Sequence, residues 1–180
     1  MATTLPDRLQ TPRLILRAPR PADAAGFFAA YTQDSEVARH MTWRAHTRLS
    51  QTEDFVAFCI DGWDSGRSRP YVLALQGGEE TPIGMLEARL HGHMIDLGYV
   101  LARRHWGAGL MPEAVRAFSE AALALPDYFR IQATCDIGNL ASARTLEKSG
   151  FEREARLARY TVHPNLGDEP GPCFLYARCR

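Results

Sequence analysis

Lysine is almost absent from this 180-residue chain: Lys148 stands alone, and arginine carries the rest of the positive charge. Lys+Arg and Asp+Glu each total 21, so the formal net charge is zero, and no basic excess marks a general nucleic-acid binder. No run of about 18 apolar residues occurs, and the opening MATTLPDRLQTPRL holds no apolar stretch of a secretory leader. The expectation is a cytoplasmic protein with no membrane span and no nucleic-acid partner. The four cysteines, Cys59, Cys135, Cys173 and Cys179, are widely spaced without a Cys-x-x-Cys pair and read as reduced thiols. The six histidines have no ligand spacing; His91-Gly92-His93 reads as a hairpin turn, and no metal is expected. Two phosphate loops are missing as well, since neither Gly-x-x-x-x-Gly-Lys-[Ser/Thr] nor Gly-x-Gly-x-x-Gly occurs.

What is present is material for a core. Hydrophobic residues make up 46% and charged residues 23%, the proportions of a soluble globular protein. No repeat or linker divides the chain, so one domain over 1–180, with a core of about 11–178, is expected. Leu14 to Leu16 reads as a first strand, and Pro21 opens an Ala-rich helix reaching about Tyr31. Ser50-Gln51-Thr52-Glu53 has the form of a capping box for a second helix that stops at Gly62. Three strands follow as a meander over 71–75, 83–89 and 94–101.

The second half alternates strand and helix. Met111, Val115, Phe118, Ala122 and Leu125 form one stripe of a helix over about 109–125, ended by Pro126. A strand over 131–135 leads to a helix over 140–149, with Asn139 as N-cap, Gly150 at the left-handed C′ position and Phe151 after it. Strands over 156–162 and 173–178 close the chain. The pattern is α/β: a mixed sheet with helices on its faces.

The chemistry concentrates where the third meander strand meets the long helix. Gly107 and Gly109 lie in the short loop between them, and without Cβ atoms they let a ligand approach the backbone. The first amides of the helix lack intrahelical acceptors and carry the positive end of its dipole, which suits a phosphate or pyrophosphate. A plain strand–helix turn is the other reading of these residues.

Arg104-x-x-Gly107-x-Gly109 resembles the [Gln/Arg]-x-x-Gly-x-[Gly/Ala] acetyl-CoA motif of the GNAT superfamily of N-acetyltransferases. Asn139-Leu140-Ala141-Ser142 with Glu147-Lys148-Ser149-Gly150-Phe151 is similar to that superfamily's Asn-x-x-Ser helix. Thr11-Pro12-Arg13-Leu14-Ile15-Leu16-Arg17 and Leu97-Gly98-Tyr99…Trp106-Gly107-x-Gly109 resemble the branch containing ribosomal-protein alanine acetyltransferases. The resemblance spans about residues 11–178 and implies a mostly antiparallel central sheet flanked by helices.

It also implies acetyl-CoA as cosubstrate. The strand end Tyr99-Val100-Leu101 would align the pantetheine arm through backbone groups of Tyr99 and Leu101. The stretch Arg104, Trp106, Gly107, Ala108 and Gly109, continuing into Leu110 and Met111, would hold the pyrophosphate. Asn139 would contact the pantetheine or cap its own helix. Ser142 is the candidate acid for the departing thiolate, or else a first-turn helix serine. Asp96 is the candidate base, or else a paired strand carboxylate, with Glu87 in reserve beside the acceptor. Trp43 and Tyr160 would wall the acceptor amine, or serve only as core. The branch's glutamate just before the tyrosine matching Tyr160 is replaced here by Arg159.

The activity implied is direct acetyl transfer to a primary amine in a ternary complex, favouring a protein or peptide N-terminal α-amine. Small-molecule amine acetylation, including drug modification, and a non-catalytic acyl-CoA sensor are the alternatives. Monomer and homodimer both remain open.

Overall fold

A computed structural model describes residues 4–180. β1 (Arg8–Gln10) and β2 (Leu14–Arg17) lead into α1 (Asp23–Phe27), which continues as a π-helical turn over Phe28–Thr32, and then into α2 (Ser35–Ala38). α3 (Leu49–Asp64) precedes the meander of β3 (Ser68–Leu75), β4 (Pro82–His91) and β5 (Met94–Leu101). A short 3₁₀ turn over Arg103–His105 passes to α4 (Leu110–Leu123), then β6 (Arg130–Asp136), α5 (Leu140–Lys148), β7 (Glu152–Val162) and β8 (Pro170–Cys179). The strands form one eight-stranded sheet in the order β1-β2-β3-β4-β5-β6-β8-β7, antiparallel except for the parallel pair β5–β6. This is the mixed, mostly antiparallel sheet expected. Among the described residues no helix is long and apolar enough to cross a membrane.

Both faces of the sheet are covered, which explains why β3 reads as a continuous apolar run. Successive residues point to opposite faces: Tyr71 and Leu73 join the core under α4, with Leu86, Ile95, Ile131 and Phe118. Val72 and Met85 join a second core with Phe27, Tyr31, Val56 and Cys59 from α1, the π turn and α3. The buried stripe of α4 holds Met111, Val115, Phe118 and Ala122 as its spacing requires.

Helix ends follow the sequence in part. Asn139 Oδ1 accepts from the Ser142 amide at 3.1 Å. At the far end of α5, Gly150 has φ +83°, and the amides of Gly150 and Phe151 return to Glu147 and Leu146 at 3.1 Å each, the left-handed C-terminal motif expected there. α3 differs from expectation. It starts at Leu49, and Gln51 Oε1, not Glu53, takes the free amides of Thr47 at 2.8 Å and Arg48 at 3.1 Å. Gly62 does not end this helix. It lies inside because a Cβ there would come within 2.6 Å of Ser68 Oγ, so its smallness lets α3 rest on β3.

The Ala-rich stretch after Pro21 breaks into α1 and a π turn, and two short elements, β1 and α2, carry too few residues to show a period. β7 begins at Glu152, four residues before the expected start, because an irregular register with β8 obscures its alternation.

One departure from regularity positions the site. β5 and β6 pair only over Met94–Asp96 with Arg130–Gln132, although β5 runs on to Leu101 and β6 to Asp136. Past Asp96 the two strands part, leaving a wedge in the sheet.

Candidate active site

Gly107 and Gly109 both have positive φ, +75° and +74°, which glycine adopts without the Cβ clash other residues meet. Nothing stands within 4 Å of a Cβ placed at Gly107, and at Gly109 only Arg13 Nη2 does, at 3.6 Å. Pro112 occupies the first turn of α4, where its missing N–H costs nothing. Among the described residues no backbone carbonyl accepts from the amides of Gly107 through Met111. That open row of donors at a helix N-terminus fits the pyrophosphate of acetyl-CoA.

The loop is braced from β2's side. Arg13 Nη1 donates to the Ala108 carbonyl at 2.8 Å, Arg13 Nε donates to Glu113 Oε2 at 2.7 Å, and Thr11 Oγ1 donates to Glu113 Oε1 at 2.6 Å. Burial pushes the Glu113 carboxyl up, but the bonds from Thr11 and Arg13 outweigh it and hold its pKa below the ordinary value. The Trp106 indole, half-exposed, donates Nε1 to the Leu101 carbonyl at 2.8 Å and so folds the loop back on the strand end. Arg104 Nε donates to His105 Nε2 at 3.1 Å.

A cleft of about 350 Å³ opens here, bordered by Tyr99–Leu101, Trp106, Gly107, Gly109–Met111, Asn139 and Ser142. Of the expected cofactor residues, Arg104 and Ala108 lie off its border. Arg144 and Lys148, to which the motifs assign no cofactor contact, lie on it. Their one-turn spacing on α5 was the available signal, since i and i+4 share a helix face.

A second cavity, of about 490 Å³, holds Trp43, Glu87, Asp96 and Tyr160 on its walls. Met85, Glu87 and Arg89 alternate onto one face of β4, and Met85 packs under α3, so this cavity lies on the α1–α3 side of the sheet. The wedge joins it to the first cleft. His40, Met41, Tyr99, Val100, Asn139 and Ser142 border both.

Asp96 has a partner that the sequence did not reveal. Its Oδ2 accepts from Arg89 Nη2 at 2.6 Å and Nε at 3.0 Å, while Arg89 Nη1 donates to Glu87 at 2.8 Å. Burial disfavours charge on Arg89, but Asp96 and Glu87 outweigh it and raise its pKa. Gly98 leaves room for the guanidinium, whose Nη1 is 3.1 Å from where a Cβ would sit.

Ser142 lies at the junction, its Oγ 2.8 Å from the Tyr99 hydroxyl, which also donates to the Ser142 carbonyl at 3.2 Å. Burial drives the Tyr99 phenol well above its ordinary pKa, against the opposing bond to Ser142. Burial likewise pushes the Cys135 thiol up to about 11.

Tyr160 is 53% exposed beside Arg159, which has φ +46° at an irregularity between Leu157 and Thr161. A bulge of this kind re-aims the next side chain. The β7–β8 connection also closes the wall of the second cavity, because Asn165 Nδ2 donates to the Ala38 carbonyl at 2.7 Å and to the Trp43 carbonyl at 2.8 Å.

Residues 13–152 match the family described as acetyltransferase (GNAT) domain. That match covers well over half of the chain, which therefore belongs to this family and is an acetyltransferase. Among curated relatives, the uncharacterized N-acetyltransferase p20 of Bacillus licheniformis is 27% identical over 156 residues, covering 86% of this chain and 87% of that protein. Two solved structures share the fold. The microcin C7 self-immunity acetyltransferase MccE, in complex with acetyl-CoA and AMP, superposes with a TM-score of 0.86 at 16% identity over 99% of both chains. RimL, a ribosomal-protein alpha-N-acetyltransferase in complex with coenzyme A, gives 0.82 at 18% identity over 97% of both chains.

Proposed function

We propose that the protein is an acetyl-CoA-dependent N-acetyltransferase acting on a primary amine, with a peptide or protein N-terminal α-amine as the favoured acceptor. The observation that carries this reading is the shared border of the two cavities. One cavity suits a nucleotide thioester and the other an acceptor, and they meet at Ser142. Both substrates can then be held together and react directly, without a covalent acetyl-enzyme.

The chain's own groups divide the work. The amides from Gly107 to Met111 hold the pyrophosphate, with charge-assisted bonds of about 1.5–3 kcal/mol each. Arg144 and Lys148 supply cations along the same cleft. The free edge of β5 beyond Asp96 offers strand-like hydrogen bonds to the pantetheine arm. Ser142, backed by Tyr99, donates a proton to the departing thiolate. Arg89 occupies Asp96, which makes Asp96 a structural partner in this scheme instead of the base.

Amine chemistry favours chain termini. An α-amine with pKa about 7.7 is roughly one-sixth neutral at pH 7, whereas a lysine ε-amine near 10.4 is neutral about once in 2,500. The site therefore needs to remove less charge from an N-terminus. RimL's action on a ribosomal protein's α-amine gives this acceptor class a precedent on the same fold.

Paired assays at pH 7 on a peptide with a free N-terminus and its blocked, lysine-bearing counterpart test the acceptor. Faster α-amine acetylation is expected, with the gap narrowing as pH rises; faster ε-amine acetylation would overturn it. Initial velocities varying both substrates should give intersecting lines, and parallel lines would exclude the ternary complex.

A further inference from the structure

His40 borders the cofactor cleft and the acceptor cavity alike, and no other imidazole does so among the described residues. The remaining shared groups are Met41, Tyr99, Val100, Asn139 and Ser142. Of these six, only an imidazole ordinarily changes charge near neutral pH. Its backbone is anchored, since His40 comes two residues after the end of α2 and Asn165 holds the Ala38 carbonyl at 2.7 Å. The imidazole Nδ1 is buried without a well-aligned hydrogen bond and stands 3.3 Å from Asp136 Oδ1. Asp136 is fixed in turn, because Oδ1 accepts from the Gly138 amide at 2.9 Å. A Cβ at Gly138 would lie 3.0 Å from that oxygen and 3.8 Å from His40 Cε1, so glycine leaves the pair its space.

We propose that His40, oriented by Asp136, is the base that takes the proton from the acceptor amine. A carboxylate facing Nδ1 favours the tautomer with the proton on Nδ1, leaving the Nε2 lone pair for the cavity. Catalytic hydrogen bonds are often long or poorly aligned before substrates bind, which accords with the 3.3 Å separation. The competing carboxylates, Glu87 and Asp96, already share Arg89.

The step balances. The amine nitrogen attacks the thioester carbonyl, the N–C bond forms, and the N–H proton passes to His40 Nε2. The C–S bond breaks, the thiolate takes the Ser142 hydroxyl proton, and the proton held by His40 restores Ser142 through solvent. Asp136 stays ionised throughout. His163, buried after β7, interacts electrostatically with both His40 and Asp136, and Cys135 of β6 with Asp136; Glu36 of α2 shares the first cleft with His40, and Tyr99 of β5 shares both cavities with it. Arg144 and Lys148 lie along the cofactor cleft, and Glu87, Arg89 and Asp96 lie across the acceptor cavity.

The inference rests on the proposed function, and two measurements separate them. His40→Gln should lower kcat by roughly 10²–10⁴-fold, remove the acidic limb of its pH profile and leave CoA affinity by calorimetry unchanged. Asp136→Asn should lower kcat less and displace that limb. Turnover by H40Q within about fivefold of wild type, with the limb intact, would overturn the base alone. A wild-type protein that acetylates no amine would sink the proposed function and the base together. Independently of turnover, ¹⁵N NMR should find His40 as the Nδ1–H tautomer in the wild type and altered in D136N; an Nε2–H tautomer in the wild type would overturn the proposal.

Discussion

Arg13 Nε and Glu113 Oε2 meet at 2.7 Å across 100 residues of sequence. The same guanidinium holds the Ala108 carbonyl, so an ion pair at the start of the chain sets the curvature of the glycine loop. Arg13→Ala should loosen the loop and weaken CoA binding about tenfold, equivalent to about 1.4 kcal/mol, as read by calorimetry.

The same pair makes a pH prediction for stability. Hydrogen bonds from Thr11 and Arg13 outweigh burial and lower the Glu113 pKa in the folded state. A depressed carboxylate stabilises the fold fully above its unfolded value, about 4.3, and this stability is lost as pH falls through the lower folded value. Glu113→Gln should therefore cost about 1–3 kcal/mol near neutrality, with the deficit shrinking below about pH 4. Urea midpoints for both proteins across pH check this; a constant deficit would refute it.

Arg17 and Asp23 form a buried pair, each side chain 4% exposed, with Nη2 to Oδ1 at 2.6 Å. The Arg17 fork also donates to the Ala18 and Glu79 carbonyls, tying β2, α1 and the β3–β4 turn together. Asp23→Ala leaves a buried guanidinium unpaired and should cost about 3–5 kcal/mol. An apolar double replacement of both residues should recover most of that loss in chemical denaturation.

Gly109→Val places a branched side chain at φ +74°, directly beside the row of open amides. Acetyl-CoA affinity should fall severely while circular dichroism reports a folded protein. Unchanged affinity in that folded variant would remove the loop from the binding site.

Ser142→Ala should lower kcat by roughly 10²–10⁴-fold with nearly intact CoA affinity. Tyr99→Phe removes the hydroxyl 2.8 Å from Ser142 Oγ and should reduce kcat in the same direction without moving KM for acetyl-CoA. A loss under about fivefold at Ser142 would reduce it to a helix residue.

The fold was legible wherever local chemistry repeats or punctuates. The stripe from Met111 to Ala122, the Asn139 cap and Gly150 each mark an element without help from distant residues. Gly62 misled because glycine serves both as a helix stop and as a close-packing residue, and only contact with Ser68 decides between them. The loop of open amides was visible because its glycines and helix N-terminus are contiguous. The residues of the second cavity, Trp43, Glu87, Asp96 and Tyr160, were nameable one by one, but the ion pairs around them were not. Asp96 meets Arg89 by cross-strand register, and His40 meets Asp136 across 96 positions, relationships that sequence spacing does not encode.

The parting of β5 from β6 has a mechanical consequence. Only three residue pairs join those strands, so a short seam is all that ties β1–β5 to β6, β8 and β7 within the sheet. A ligand that hydrogen-bonds the free edge of β5 while touching α5 would act as a splint across that seam. Binding should then stiffen the molecule beyond the cleft, slowing amide exchange at Ile131 and Ala133 in β6 as well as at Tyr99, and should raise the unfolding temperature with ligand concentration.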